Sequence, residues 1–358
     1  MRSRTSRTIL CSTLVLGFLA LAAACNYVST TVCPIDSSLI SQIASFSLSG
    51  ASQAAVVLEK TRDLRITNDG GLTWQTIQPA AVRDMFECAT MLDAQRGWAL
   101  SHEGHVFATD SGGANWKKIS ELKDFTCAHQ IEFLNEKDGW IRECLSIWRT
   151  RDGGVTWETM LSTVTPGTIG QPTGMFVFDA NTVIASASGG QFYLTKDGGV
   201  TWKITSPISG DKMDFNDVWF VDRTHGWLAG SQIIVSGESS RPLLFETTDG
   251  GDSWREVSVN ADMHPSSVCF VGDDGWLAGA RRIVNGDSVR LEGVLLHTVD
   301  GGKSWEPVPL GPNEPYLTDV RFVDQKHGWL VGRDSLYRTA DRGKTWTRVL
   351  TLPPRAAD

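Results

Sequence analysis

The phrase Thr-x-Asp-Gly-Gly-x-Thr/Ser-Trp returns seven times along this 358-residue chain, with its tryptophans at Trp74, Trp116, Trp157, Trp202, Trp254, Trp305 and Trp346. The steps between them are 42, 41, 45, 52, 51 and 41 residues. A period in the forties that rests on turn chemistry rather than helix caps marks small β-sheets arrayed radially. A sheet of that size has two apolar faces to bury, so the units must pack on one another, and ring closure covers the first and the last. The expected fold is all-β: a seven-bladed β-propeller of four-stranded antiparallel blades.

Residues 217–258 show one unit clearly. A β-rich run at 217–222 leads through a turn into a second strand at 227–230, a third at 243–247 and a fourth at 254–258. Runs of β-branched and aromatic residues between Gly, Asp and Ser clusters read as strands. A Gly-Trp pair opens the second strand at Gly97-Trp98, Gly139-Trp140, Gly226-Trp227, Gly275-Trp276 and Gly328-Trp329, and is replaced by Thr182-Val183 and Ala54-Ala55 in the fourth and first units. The repeated phrase falls between strands three and four. Its carboxylates, Asp69, Asp152, Asp197, Asp249, Asp300 and Asp341, are expected to accept N–H groups two residues ahead and close a tight turn. The glycines permit positive φ there, and each Trp is expected to drop its ring between neighbouring sheets. Ser111 replaces the Asp in the second copy, and Arg342 the first Gly in the seventh.

The ends carry a different signal. Arg2, Arg4 and Arg7 precede an apolar run at 9–21 that closes on Ala22-Ala23-Ala24-Cys25. This reads as a lipoprotein-type signal peptide over 1–24, with lipidation expected at Cys25 and a tether at 25–40. The propeller is expected to occupy 41–352, with a short tail at 353–358. Three of the 33 basic residues lie in the leader, so the mature chain carries 30 against 41 acidic groups, a formal charge of −11. No Lys/Arg run breaks that background, which excludes nucleic acid as a partner. Five cysteines then remain besides Cys25, an odd number with no metal-ligand spacing such as C-x-x-C. Cys127 and Cys144 lie on segments expected to be adjacent strands and are the best disulfide candidates; buried free thiols are the alternative.

In a four-stranded blade the one–two and three–four turns share one rim, so regular turns gather there and blade-specific loops gather on the other. Function is expected on the variable rim. Two connections are long: 232–242, with Arg241, and 280–293, with Arg281, Arg282 and Arg290. These four arginines form a basic concentration on an acidic protein and are the candidate partner-binding surface, against the plainer reading of two hairpins with solvated charges. Asn216, Asp217, His264 and Asp319, at the starts of first strands, are candidates to line a central funnel. His102 and His105 lack further ligands nearby, and single turn carboxylates suit a hard cation poorly, so no metal and no cofactor are expected.

All seven phrases, spanning about 41–352, resemble the Asp-box (BNR) repeat family of β-propellers, including its S/T-x-D-x-G-x-T/S-W pattern. The export signal, the single propeller and an F-x5-G-W-x-x-G signature, best kept at 220–230 and 322–332, resemble the photosystem II stability/assembly factor family. That resemblance implies a non-catalytic scaffold, a monomer lipid-anchored on the extracytoplasmic side of the bacterial cell envelope, that binds a membrane-associated protein or complex through a basic patch. Two other readings share the fold. Sialidase-like glycosidases need an F-R-I-P phrase that the chain lacks, and relatives with two facing propellers need a longer chain. A carbohydrate- or ligand-binding envelope sensor would use the funnel.

Overall fold

The computed structural model describes residues 42–352, apart from 60, 78–84, 124, 126, 164–169, 208–212, 234–239, 286–287, 311–313 and 315. Its strands form seven four-stranded antiparallel sheets, each built from four consecutive strands in sequence order. Blades one to seven span 43–77, 86–121, 128–162, 172–205, 213–256, 264–307 and 317–351. Among the described residues no strand is exchanged between the first and last sheets. The ring closes through side-chain packing and a backbone bond: Ile43, Ala54, Val56 and Leu58 of blade one meet Trp329, Val331, Leu336 and Leu350 of blade seven in one apolar cluster, and the Gln42 N–H donates to Arg333 O at 2.7 Å. Six further clusters fill the other blade interfaces. The predicted signal, Cys25, the tether and the tail lie outside the described residues.

The repeated phrase makes the same corner each time. In blade one, Thr73 donates its N–H to Asp69 Oδ1 at 2.9 Å and its hydroxyl to Asp69 Oδ2 at 2.6 Å. Thr67 donates to Asp69 Oδ1 and accepts from the Gly71 N–H, both at 2.8 Å. The expectation that the carboxylate reaches two residues ahead is therefore corrected. Gly70 and Gly71, at φ 76° and 86°, curl the chain until the fourth residue on faces the Asp, and the preceding Thr takes the N–H two residues on. The pattern repeats at Asp152, Asp197, Asp249, Asp300 and Asp341. In blade two the Ser111 hydroxyl accepts from the Asn115 N–H at 3.0 Å, one oxygen standing in for a carboxylate. Arg342 holds the left-handed conformation at φ 68°, and its guanidinium reaches Asp274 of blade six at 2.6 Å.

Each corner Trp packs back onto the preceding blade. Trp74 donates its indole N–H to Val349 O of blade seven at 3.2 Å, and Trp202 to Met160 O of blade three at 2.8 Å. The Gly-Trp signature works forward. Trp227 stacks on Phe270 of the next blade with centroids 3.6 Å apart and planes at 5°, and Trp98 on Phe133 and Trp276 on Phe322 repeat the arrangement. Phe270 in turn lies over its own blade's Gly275, where a Cβ would come within 2.3 Å of the ring. The pairing of a Phe with the Gly-Trp that follows it thus has a steric cause: glycine leaves room for a ring that the neighbouring tryptophan clamps.

Candidate functional site

The innermost strand of every blade carries a register shift near its start, where one extra residue bulges from the ladder. A bulge re-aims side chains out of the alternating pattern. Here the bulged residues Ala44, His129, Thr173, Asn216, Ser266 and Thr318 line a central cavity of about 470 Å³. Asn216, Asp217 and Asp319 line it as the strand positions suggest, whereas His264 is not among the lining residues.

The acids on one side of the cavity are committed to internal pairs. Arg321 of blade seven bonds Asp217 of blade five at 2.9 and 3.3 Å and approaches Asp319 at 3.1 Å. Asp217 also accepts the N–H groups of Val218 and Val268, both at 3.0 Å, and Asp319 accepts from the Ser267 hydroxyl at 2.9 Å. Burial works against the Arg321 cation, but the Asp217 and Asp319 carboxylates outweigh it and hold its pKa above the usual range. Burial raises the Asp319 carboxyl against the pull of Arg321. The guanidinium also sits 5.2 Å over the Trp219 ring. This network ties blades five, six and seven together at the axis.

Blade three presents the opposite situation. Glu132 accepts from Gln130 Nε2 at 3.2 Å, and burial lifts its carboxyl to about 7. Arg142 bonds Gln130 Oε1 at 3.4 Å and Pro172 O at 3.2 Å, with no carboxylate at ion-pair distance among the described residues. Burial lowers its pKa to about 10, still cationic at neutral pH. His129 is held near 3 by burial and by the neighbouring Arg142 and Arg62 charges, so its imidazole is neutral. Beside it Cys127 and Cys144 are joined in a disulfide, with Cα atoms 5.8 Å apart. Cys88 and Cys269 are buried thiols elsewhere.

On the variable rim the two long connections are hairpins. In blade six, strands Asp274–Asn285 and Ser288–Thr298 pair to their tips; in blade five, Gly226–Ile233 pairs with Ser240–Thr247. The four arginines are spread over the two hairpins and over both faces of the blade six one. Arg281 bonds Glu292 at 2.9 Å, and Arg241 is paired with Glu256. The register places Arg281 opposite Glu292 and Arg290 opposite Ile283, on one face, and Arg282 opposite the buried Leu291, on the other. His102 is bonded to Glu87 at 2.7 Å and His105 lies 3.3 Å from Glu121, which accounts for both.

Two segments of the chain, 66–211 and 208–318, match the family model described as photosynthesis system II assembly factor YCF48. The photosystem II assembly lipoprotein Ycf48 of Synechococcus sp. (strain CC9902) is 32% identical over 77% of this chain and 79% of its own length. The chain belongs to the YCF48 family. A second relative, the chloroplastic photosystem II stability/assembly factor HCF136 of Cyanidioschyzon merolae (strain NIES-3377 / 10D), is 26% identical over 84% of this chain and 70% of that protein. The solved structure titled YCF48 bound to D1 peptide superposes with a TM-score of 0.64 at 16% identity, covering 84% of this chain and 93% of that one. At that identity the likeness is one of fold.

Sequence reasoning missed Arg142, Glu132 and His129. The charged pair in Gly-Trp-Ile-Arg-Glu falls inside a strand whose five residues are all buried, and that mismatch of charge with a core strand was the available signal.

Proposed function

We propose that this chain is a lipid-anchored, extracytoplasmic assembly factor that holds a polypeptide segment of a membrane-embedded subunit and catalyses no reaction. The observation that carries the reading is the state of the funnel acids. Asp217 and Asp319 are both bound to one guanidinium, and Glu132 accepts from Gln130. A glycosidase needs two carboxyl groups free to act across a cleft, so the geometry favours binding. Membership of the YCF48 family supports the same conclusion, since its relatives are named as photosystem II assembly factors.

The binding surface in this proposal is the rim that bears the blade five and six hairpins, with Arg281 and Arg290 facing one way and Arg241 on the neighbouring blade. An arginine already paired to a surface carboxylate can exchange that partner for one on a peptide at little cost, because exposed ion pairs contribute only about 0–1 kcal/mol. The anchor at Cys25 would keep this rim near newly inserted subunits. The segment it holds is a peptide of the kind that the solved YCF48 binds, a stretch of a D1-type subunit.

The test is capture from solubilised membranes by the anchored, full-length chain, with Arg281→Glu and Arg290→Glu introduced together. A membrane-protein subunit recovered in stoichiometric amount, and lost on charge reversal without a change in melting temperature, supports the proposal. Cleavage of aryl glycosides by the purified protein, abolished by Glu132→Gln, would overturn it.

A further inference from the structure

Cys127, His129 and Cys144 meet where the first strand of blade three enters the ring, at the end opposite the Asp-box corners. One donor atom from each lies within 4.8 Å of the others, the one such grouping among the described residues. We propose that this cluster is a redox-gated Zn2+ site: closed while Cys127 and Cys144 are oxidised, open to one ion once they are reduced.

Three observations carry the assignment. First, the backbone holds the two cysteines together independently of their sulfurs, because the Cys144 N–H donates to Cys127 O at 3.1 Å. The next residues along the ladder, Glu143 and Ala128, are paired as well. Reduction therefore leaves the Cα atoms near their present 5.8 Å, and rotation about the side chains lets two thiolates share one ion at Zn–S distances of about 2.3 Å. Second, His129 is the bulged residue of its strand, and its Nε2 already lies 3.2 Å from Cys144 Sγ. The bulge turns the imidazole to the sulfurs, a placement that strand alternation alone does not give. Third, His129 lines the central cavity, which gives an ion a path to the imidazole. Two thiolates and an imidazole with one open position form a Cys2His set that suits Zn2+ in its tetrahedral preference. The loaded site is electrically neutral, since two thiolates balance the ion, so it adds no positive charge beside Arg142.

The chemistry balances with a dithiol as the named reductant. The dithiol delivers two electrons and two protons to the S–S bond and itself becomes a disulfide; the two cysteine thiols then release their protons to solvent as Zn2+ binds. The expectation that the chain holds no metal was drawn from His102 and His105 and from the lack of C-x-x-C spacing. The C-x-H followed by a cross-strand Cys is a pattern that only the register reveals.

The experiment uses the full chain carrying Cys33→Ser, which removes the further thiol of the 25–40 segment, titrated with Zn2+ alone against a chromophoric chelator before and after reduction, with near-UV circular dichroism recorded in parallel. One Zn2+ per chain is expected in the reduced protein and none in the oxidised one. His129→Gln, which keeps both cysteines, should weaken binding at least about 10-fold, and Co2+ in place of Zn2+ should show thiolate charge-transfer absorption that Cys127→Ser abolishes. Should reduction loosen the fold, Zn2+ must restore the near-UV signal, and must do so less well in His129→Gln. A reduced protein that binds no Zn2+, or that binds it equally with and without His129, overturns the proposal and leaves the pair as a structural disulfide.

Discussion

Gly275 and Phe270 form the sharpest test of how the blades are locked. Phe270 is 1% exposed and is held on three sides: stacked on Trp227 at 3.6 Å, edge-on to Trp305 at 5.9 Å, and seated over Gly275. A methyl group at 275 would stand 2.3 Å from the ring, and the ring has nowhere to go. Overpacking of this kind costs about 1–3 kcal/mol, so Gly275→Ala should destabilise by about that amount. Removing the ring leaves a cavity between blades five and six, and Phe270→Ala should cost about 3–5 kcal/mol. In that second background the sign reverses. The new methyl enters vacated space, and alanine in a strand is favoured over glycine by about 0.5–1 kcal/mol. Gly275→Ala should then stabilise the Phe270→Ala protein slightly, giving a coupling energy above about 1.5 kcal/mol. Equilibrium urea unfolding of the four proteins, read by tryptophan fluorescence, measures the cycle. Equal cost of Gly275→Ala in both backgrounds would refute the steric account of the Phe and Gly-Trp signature.

Other expectations follow from the same geometry. Replacing the cross-link by Cys127→Ser with Cys144→Ser opens a loop with a sequence separation of 17, and should lower unfolding stability by about 2–4 kcal/mol in denaturant titrations. Hydroxyl and N–H donors from Thr73 and Ser253 hold Asp69 and Asp249 near 2. Below about pH 4 the unfolded chain takes up protons that these corners refuse, so the melting temperature should fall as pH drops from about 4 towards 2. Asp249→Asn should flatten part of that slope. Glu132 has the opposite sign. Its carboxyl ionises near 7 in the folded protein, so wild type should lose stability as pH rises from about 4.5 to 7. Glu132→Gln should remove that loss and melt higher than wild type at pH 8, with no difference at pH 4.

The architecture was legible because it is written in local chemistry. Each Asp-box corner is closed by residues within four positions of its carboxylate, as with Thr67, Gly71 and Thr73 around Asp69, so seven copies count seven blades directly. The funnel was only partly legible. Asp217 and Asp319 were placed by their position at strand starts, but their shared partner Arg321 lies 104 residues from Asp217, and no spacing rule joins them. His129 escaped because a bulge shifts its register, and Arg142 because its partners, Gln130 and Pro172 O, stand 12 and 30 residues away in sequence. The arginines of the blade six hairpin divide between two faces for a simpler reason. Adjacent residues Arg281 and Arg282 point to opposite faces of a strand, and carboxylates on the partner strands take up Arg241 and Arg281.

The account rests on a division of labour between two edges of one ring, with the carboxylate-fastened corners on the first edge and partner contact on the second. A photo-crosslinking amino acid placed at position 290, on the blade six hairpin, and separately at position 303, in the blade six corner, tests this in native membranes. Covalent capture of a membrane-protein subunit from position 290 and none from 303 is the predicted result. Capture from 303 alone would contradict it.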